Sequence, residues 1–270
     1  MTTRSRPRVV LCSIDGVRPD ALLAAQTPVI DRLAANGAST WTARTVMPSC
    51  TLPCHMSMLR GVDSTRHGIT TNVFQPLVRP VPSVLDIAHD AGLKTGFVFN
   101  WEQLRDLTDP GKLDVSIMYG DAMSALGDVR VAEAAATALQ WCDLDLLFVY
   151  FGWPDECAHK FGWMSEEYLA AISHADICLG RVVAEIERLG RLADTTFLIT
   201  SDHGGHERTH GTDRDEDMLV PWILSGRQIR RAHHIESQVR IYDTCTTIAS
   251  LLGLKPPSVW DGAVISEAFL

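Results

Sequence analysis

Short apolar runs rich in β-branched residues alternate with longer segments of helical pattern along most of this 270-residue chain. The runs at Arg8–Ile14, 145–151 and Thr195–Thr200 have the length and composition of buried strands. The longest helical pattern, 165–189, opens with a serine followed by two glutamates. Strands that alternate with helices favour α/β layering around a largely parallel sheet. We therefore predict a single α/β domain over residues 1–270, without an internal linker or repeat.

Weaker patterns extend the same alternation. Predicted strands lie at 40–46, 94–99 and 219–224, and predicted helices lie at 28–36, 51–60, 83–91, 128–141 and 241–252. A glycine marks the expected end of each helix except the one at 128–141, as is common at helix C-termini.

The charge balance limits the range of partners. The chain has 33 acidic and 24 basic side chains, a formal net charge of −9, and no basic stripe. A broad surface for a nucleic-acid polymer is therefore not expected, whereas bound cations would neutralise some of the acidic groups. The sequence leaves open whether the chain forms a homo-oligomer.

Composition also bears on localisation. No apolar run reaches the length of a membrane span, and the apolar residues that follow the basic segment 1–8 stop at Asp15, too soon for a signal-peptide core. The seven cysteines are odd in number and lack paired C-x-x-C motifs, which fits reduced core thiols. We predict a soluble, cytoplasmic protein that does not contact a membrane.

The turn at 49–55 joins a predicted strand to a short predicted helix and offers the hydroxyl of Thr51 at the start of that helix. Pro53 is tolerated in a first helical turn, where its missing N–H would have no partner. The free N–H groups and positive dipole end of such a turn favour a bound anion. A hydroxyl beside an anion site indicates a nucleophile.

Acids and imidazoles follow the predicted strands. Asp15 ends the first strand, Asp202 and His203 follow the strand at Thr195–Thr200, and Asp155 and His159 follow the strand at 145–151. The carboxyl ends of strands in an α/β sheet are where ligands bind. Asp155 and His159 are four residues apart, so one helical turn would place both on one face.

His210 brings this set to three aspartates and three histidines, which divide into two sets of three. Mixed imidazole and carboxylate ligands favour zinc, with manganese or iron as alternatives, over calcium. Two cations about 3.5–4 Å apart stabilise both the entering and the leaving oxygen of an in-line displacement. The pattern indicates phosphoryl transfer, with Thr51 as a metal-activated nucleophile.

Together these motifs resemble the alkaline phosphatase superfamily, specifically its type I phosphodiesterase/nucleotide pyrophosphatase family. The match covers nearly the whole chain in the family's order. The motifs are Ile14-Asp15-Gly16-Val17-Arg18-Pro19-Asp20, Thr51-Leu52-Pro53-Cys54-His55, Pro154-Asp155-x-x-x-His159, Ser201-Asp202-His203-Gly204 and His210-Gly211.

This resemblance implies a three-layer sandwich around a largely parallel sheet, two zinc ions and a phospho-threonine intermediate. It places Asn72 on a non-bridging phosphate oxygen, and it indicates a small phosphorylated substrate, most simply a phosphodiester or nucleotide. The implied ligands of one zinc are Asp15, Thr51, Asp202 and His203, and those of the other are Asp155, His159 and His210.

The chain departs from the family pattern in three places. Leu52 replaces the usual aromatic residue after the nucleophile, which leaves a nucleotide preference open, and Cys54 replaces the usual asparagine. Six residues separate His203 from His210 where larger members insert long segments, so a cap over the site is small or absent. The leaving-group pocket would then be built from short loops near Trp101 and residues 118–123, or by a partner subunit.

Three other functions compete with this interpretation. A sulfatase needs a convertible Cys or Ser in a Cys/Ser-x-Pro-x-Arg frame, and the frame that begins at Thr51 has neither that residue nor the arginine. A small-molecule phosphomonoesterase stays open, because it needs only a cation for the extra phosphate charge. A non-catalytic metal-binding protein would lack a ligand or the nucleophile, and none is missing. The candidate cations for a monoester are Arg18, Arg44, Arg66, Arg105 and Lys160.

We predict structural roles for most of the other polar and aromatic residues. His206 is the remaining histidine expected nearest the metals, His55 is expected to be structural, and the acidic run 213–217 is predicted to be a solvated loop. Cys50 and Cys54 are expected to be small packed thiols. Core or rim packing is the more common fate of residues such as Trp101, Tyr150 and Trp153, with stacking of one of them on a substrate ring as the alternative.

Overall fold

The computed structural model describes residues 6–73, 75–77 and 80–270, and it contains one eight-stranded sheet. The first five residues of the basic N-terminal segment therefore lie outside the described residues. The strands are β1 (Arg8–Ile14), β2 (Ala38–Arg44), β3 (Thr95–Phe99), β4 (Val115–Met118), β5 (Leu146–Phe151), β6 (Thr195–Thr200), β7 (Leu219–Ser225) and β8 (His233–His234).

The strand order is β4-β3-β5-β1-β6-β7-β2-β8. β7 pairs antiparallel with both β6 and β2, while the other five pairings are parallel. The prediction of a largely parallel sheet is thus confirmed. Because β5, β1 and β6 are neighbours that run in the same direction, the residues that follow them meet at one edge of the sheet.

Helices cover both faces of the sheet. The α-helices are α1 (Pro19–Ala24), α2 (Pro28–Ala35), α3 (Thr51–Arg60), α4 (Ser64–His67), α5 (Val84–Asp90), α6 (Ala125–Trp141), α7 (Trp153–Phe161), α8 (Glu166–Arg188), α9 (Asp215–Met218) and α10 (Asp243–Leu251). Short 3₁₀ turns occupy Glu102–Leu107, Leu192–Asp194 and Ser266–Ala268.

Each face of the sheet has its own apolar core. Along β1, Val9 and Leu11 pack in one core, whereas Val10, Cys12 and Ile14 pack in the other, as the two-residue period of a strand requires. The first core includes α3, α5 and α10, and the second includes α2, α6 and α8. Two helical layers around a central sheet confirm the predicted three-layer fold class.

Most of the predicted elements are observed. β1, β6 and α3 have the predicted bounds, and the long helix α8 lies within one residue of them. β2 begins and ends two residues earlier than predicted, because Ala38–Arg44 pairs with β7 and the chain then leaves the sheet to reach Thr51. The sequence does not predict β4, a four-residue strand, or the two-residue strand β8.

All seven cysteines are free thiols, and Cys12, Cys54, Cys157, Cys178 and Cys245 are buried, as expected of core thiols. Among the described residues, no helix combines the length and the hydropathy that crossing a membrane requires. The assignment of the whole chain to a single domain stays a prediction.

Candidate active site

The turn after β1 brings Asp15 and Gly16 to the carboxyl edge of the sheet. The Gly16 N–H donates to Asp202 Oδ1 at 3.3 Å, and the Gly16 carbonyl accepts from the hydroxyl of Tyr168 at 2.7 Å. Gly16 has a φ of +68°, and a Cβ there would lie 2.6 Å from Asp155 Oδ1. Only glycine allows the two chain segments to approach so closely.

Helix α7 begins directly after β5 and carries Asp155 and His159, the i, i+4 pair predicted from their spacing. His159 Nε2 lies 3.3 Å from Asp155 Oδ2. Buried Asp128 fixes the start of this helix, because its Oδ1 accepts from the N–H groups of Gly152 and Trp153 at 3.1 and 3.3 Å. The ligand pair therefore sits on an anchored helix end.

Asp202 and His203 follow β6 and are fully buried. His203 Nε2 lies 3.3 Å from Asp202 Oδ2 and 3.4 Å from Asp15 Oδ1. His210, from the loop after β6, stacks on the His203 ring with a centroid separation of 3.9 Å. The residues from the two strand ends and the loop thus converge on one point.

Thr51 is the first residue of α3, as predicted, and its hydroxyl lies 3.2 Å from His203 Nε2. His55, one turn later, is hydrogen-bonded through Nδ1 to the Thr51 carbonyl at 2.8 Å and through Nε2 to Ser13 Oγ at 2.9 Å. Asn72 reaches the same helix end, where its Oδ1 accepts from the Leu52 N–H at 3.0 Å. The Asn72 Nδ2 group therefore stays available as a hydrogen-bond donor.

Three of the predicted ligands have their imidazoles fixed by the main chain. Nδ1 of His159 is 2.9 Å from the Arg208 carbonyl, Nδ1 of His203 is 2.8 Å from the Gly204 carbonyl, and Nδ1 of His210 is 2.7 Å from the Ser49 carbonyl. A carbonyl partner requires a proton on Nδ1, so Nε2 carries the free lone pair of the neutral ring. This second contact is the one that metal-bound histidines usually make.

The carboxylates point unpaired oxygens into the same cluster. Asp15 Oδ1, Asp155 Oδ1 and Asp202 Oδ2 are buried and have no hydrogen-bond partner among the described residues. Two groups have ligand atoms close enough to share a cation: Asp15, Asp202 and His203, and Asp155, His203 and His210. Buried anionic oxygens without donors, facing imidazole lone pairs, fit a metal centre.

These groups overlap with the predicted ligand sets without reproducing them. His203 belongs to both groups, and His159 contacts Asp155 but belongs to neither. The division of the six side chains between two ions, and the identity of the ions, stay predictions.

Burial and neighbouring charges shift the pKa values of several residues in the cluster. Burial, with the nearby Asp155 charge, raises the pKa of Asp202 to about 8, and burial beside Asp202 also raises the pKa of Asp15. Burial and the neighbouring His210 lower the pKa of His203 to about 3, so that ring is neutral. The hydrogen bond to Asp155 raises the pKa of His159 to about 9. Cation binding at the cluster would therefore release protons.

A small cavity of about 100 Å³ opens over the cluster. It exposes Thr51 and Asn72 beside the ligands, and Trp101 and Glu156 form part of its rim. Leu52, by contrast, is fully buried in the core and does not line the cavity. Position 52 therefore offers no surface to a substrate here.

The structure refines the interpretations of Tyr150 and His206 and corrects that of the acidic run. Tyr150 is buried and donates its hydroxyl to Asp15 Oδ2, so it cannot stack on a substrate ring. Asp217 is fully buried and accepts from the Thr212 N–H at 2.9 Å, so the acidic run is not wholly solvated. His206 Nδ1 contacts Asp217 Oδ1 at 2.7 Å and is occupied there.

Sequence reasoning missed Asp128 and did not predict the supporting roles of Tyr150 and His55. Tyr150 and Asp128 hold Asp15 and the start of α7, and His55 lies beneath Thr51 with Nδ1 3.4 Å from Asp202 Oδ2. Burial lowers the pKa of His55 to about 4, so the ring is neutral. For Tyr150 the available signal was a polar hydroxyl inside the apolar run of β5, because a buried polar group needs a partner.

Comparison with known proteins decides the family. The model of the type I phosphodiesterase / nucleotide pyrophosphatase family matches residues 9–86 and 85–221. This chain belongs to that family. The matched segments include Asp15, Thr51, Asp155, Asp202 and His210, so the phosphodiesterase-family motifs lie at the residues that the structure brings together.

Relatives in this phosphodiesterase family are distant. Ectonucleotide pyrophosphatase/phosphodiesterase family member 7 of Mus musculus is 28% identical over 223 residues, which is 73% of this chain and 49% of that protein. Bis(5'-adenosyl)-triphosphatase enpp4 of the same species is 26% identical over 74% of this chain and 47% of its own length. The chain spans about half the length of these curated relatives.

Solved structures confirm the fold of the family. An inactive variant of murine ectonucleotide pyrophosphatase/phosphodiesterase 5, in complex with AMP, superposes with a TM-score of 0.84 at 16% identity, covering 98% of this chain and all of that one. A 2-O glycosaminoglycan sulfatase superposes with a TM-score of 0.79 at 15% identity, covering 97% and 73%. The alkaline-phosphatase-like scaffold is thus shared with both, and no separate cap domain is found in the described part of this chain.

Proposed function

We propose that this protein is a metal-dependent phosphodiesterase that acts through a phospho-threonine intermediate on Thr51. The observation that carries the proposal is the position of the Thr51 hydroxyl, at the N-terminus of α3 and 3.2 Å from His203 Nε2. Family membership supports the same chemistry.

Six side chains would hold two divalent cations, for which zinc is the proposed identity and manganese or iron the alternatives. Such ions supply Lewis acidity to the nucleophile and to the leaving oxygen. The buried, unpaired oxygens of Asp15, Asp155 and Asp202 support this proposal. The ligands would be Asp15, Asp202 and His203, with Thr51, for one ion, and Asp155, His159 and His210 for the other.

The residues of the chain then have defined roles. The Thr51 oxygen forms a bond to phosphorus while the bond to the leaving alcohol breaks, and that alcohol leaves with a proton. Water next attacks the phosphorus, releases the phosphate group and returns a proton to Thr51. Asn72, whose Oδ1 is fixed by the Leu52 N–H, uses Nδ2 to bind a non-bridging oxygen.

A diester is favoured over a monoester because the described residues that line the cavity include neither arginine nor lysine. A monoester carries a further negative charge, which a bidentate arginine would best neutralise. The candidate cations are engaged elsewhere. Arg18 contacts Asp20, Arg44 contacts Asp215, Arg66 contacts Asp261, Arg105 contacts Glu102, and Lys160 lies over the Phe161 ring.

The proposed substrate is a small phosphodiester or a nucleotide. The structural neighbour with bound AMP and the diadenosine-triphosphate-cleaving relative support the nucleotide class. In this chain Trp101 lines the cavity and is partly buried, so its ring would take the stacking role that Tyr150 and Leu52 cannot.

The test compares bis-p-nitrophenyl phosphate with p-nitrophenyl phosphate on zinc-loaded protein, with metal content measured on the same sample. We expect two metal ions and a clear preference for the diester. A preference for the monoester would assign the protein to the phosphomonoesterases, and two ions with neither activity would favour a non-catalytic metal-binding protein. Asp155→Ala should lose one of the two ions, and an unchanged count would contradict the proposed ligand sets.

A further inference from the structure

A second cavity lies at the opposite edge of the sheet from the candidate active site. Its volume is about 600 Å³, and its walls include Thr195, the first residue of β6, and Ser225, the last residue of β7. These residues meet because β6 and β7 are antiparallel. The extended chain between Thr195 and Asp202 spans roughly 20 Å, so the two cavities are separate.

Three arginines surround this cavity: Arg32 at the end of α2, and Arg227 and Arg231 in the loop after β7. None of their guanidinium groups makes a hydrogen bond or an ion pair with another described residue. Arg188 and Arg191 lie next to the lining residues Glu187 and Leu192 in the sequence, and both form ion pairs. Arg188 pairs with Glu185, and Arg191 pairs with Asp143.

The three arginine side chains are exposed, and together they give this cavity a local excess of positive charge in an acidic chain. The net charge is −9, with 33 acidic side chains available, yet Glu187 is the one acidic residue among those that line the cavity. Three guanidinium groups around one space repel each other. A bound anion would offset that repulsion and replace water on their donors, since the guanidinium fork matches phosphate oxygens in pairs.

The floor of the cavity adds a second requirement. Leu33, Val183 and Phe197 are buried apolar residues of the core, and their edges line the cavity. A volume of 300–1,000 Å³ is typical of sites for small organic ligands. A bare inorganic ion would leave most of this space and all of the apolar floor unused.

We propose that this cavity is a binding site for a small organic phosphate with at least two negative charges, of the nucleoside diphosphate class. Its phosphates contact Arg32, Arg227 and Arg231, and its ring packs on Phe197 and Leu33. The site lies outside the proposed catalytic machinery, so ligand binding here does not depend on the proposed function.

Equilibrium dialysis with ADP tests this assignment, using the metal-loaded Thr51→Ala protein so that no ligand is turned over. Arg227→Gln and Arg231→Gln should each weaken one class of ADP binding about tenfold, because each removes a charged hydrogen bond. Glu187→Gln should strengthen it, because the repelling carboxylate is lost. Lys255→Gln is the matched control, since it removes one exposed positive charge outside the cavity.

Binding at the catalytic centre is unaffected by these substitutions, so the class of sites that they change identifies the cavity. Pyrophosphate should bind this class more weakly than ADP, because it cannot use the apolar floor. The proposal would be overturned by ADP affinity that is unchanged in the arginine variants or by an equal loss of affinity in Lys255→Gln. Equal affinities for pyrophosphate and ADP would also overturn it. The same arginine variants with Thr51 restored should keep normal turnover, which excludes misfolding as the cause.

Discussion

Asp155 packs against Gly16 so tightly that a Cβ on Gly16 would lie 2.6 Å from Asp155 Oδ1. This contact joins the turn after β1 to helix α7, and each segment supplies proposed metal ligands. The absence of a side chain at position 16 is therefore part of the geometry of the site.

Gly16→Ala should lower both stability and metal content. Gly92 is the matched control, because its φ of +79° carries a similar strain while nothing lies within 4 Å of its added Cβ. Both variants should lose about 1 kcal/mol from backbone strain, and Gly16→Ala a further ~2 kcal/mol from overpacking. Urea unfolding and metal analysis measure the difference, and equal losses would mean that the contact with Asp155 has no energetic weight.

Thr51→Ala should retain its metal ions and lose turnover about a thousandfold or more, because the attacking oxygen is removed. Thr51→Ser is the conservative control and should keep part of the activity. Steady-state kinetics with a diester substrate, together with metal analysis, checks both expectations. Near-normal turnover in the alanine variant would overturn the phospho-threonine mechanism.

Tyr150→Phe should weaken metal binding about 10–100-fold, the usual effect of removing a hydrogen bond behind a ligand. The lost contact is the one from the Tyr150 hydroxyl to Asp15 Oδ2. Tyr119→Phe is the control, since no described residue is hydrogen-bonded to the Tyr119 hydroxyl. Titration with a competing chelator gives the affinities, and the same affinity in both variants would contradict a role for Tyr150.

Asp128→Ala should destabilise the protein by about 2–3 kcal/mol, because the Trp153 N–H and the Asn100 side-chain amide would lose their buried acceptor. Asp128→Asn keeps Oδ1 as an acceptor and should restore most of that stability. Burial raises the pKa of Asp128 to about 7, so a neutral side chain is tolerated there. Unfolding in urea distinguishes the two variants, and similar losses would show that the charge, not the acceptor, is required.

His67 should make stability depend on pH. Its Nδ1 accepts from the Ile69 N–H at 3.1 Å, its Nε2 donates to Ser57 Oγ at 2.9 Å, and burial lowers its pKa from 6.5 to about 4. The unfolded chain takes up a proton near pH 6.5 that the folded chain does not. This contribution is therefore complete above pH 6.5 and is lost as the pH falls towards 4.

The full loss of the His67 contribution lowers the free energy of unfolding by about 3 kcal/mol. Urea unfolding of wild type and His67→Gln between pH 7.5 and pH 4.5 isolates it, because other buried histidines contribute equally to both proteins. The variant should have the flatter profile. His234→Gln, which replaces an exposed histidine, should follow wild type, and parallel profiles for all three would contradict the assignment.

The sequence predicted the elements that carry strong local patterns. β1 and β6 are apolar runs that end in polar turns, and α3 lies between the Thr51 turn and Gly61, so their bounds were readable. The strand ends also predicted where Asp15, Asp155 and Asp202 would meet, since parallel neighbours deliver their carboxyl ends to one edge.

The supporting contacts were not readable from local patterns. Tyr150 and Asp15 are 135 positions apart, and Thr212 and Asp217, although close in the sequence, form a contact whose burial depends on the rest of the fold. β8 is two residues long and exists only because β2 offers it an edge. The same limit applies to Arg32, Arg227 and Arg231, which only the fold brings together.

The three imidazoles proposed as metal ligands are held by carbonyl groups of Ser49, Gly204 and Arg208, and a carbonyl belongs to the main chain whatever side chain the residue carries. Substitution at these three positions, or at rim residues such as Trp101 and Glu156, leaves those anchors in place. Changes at the rim of the cavity can therefore alter substrate preference while the proposed metal ligands keep their orientation.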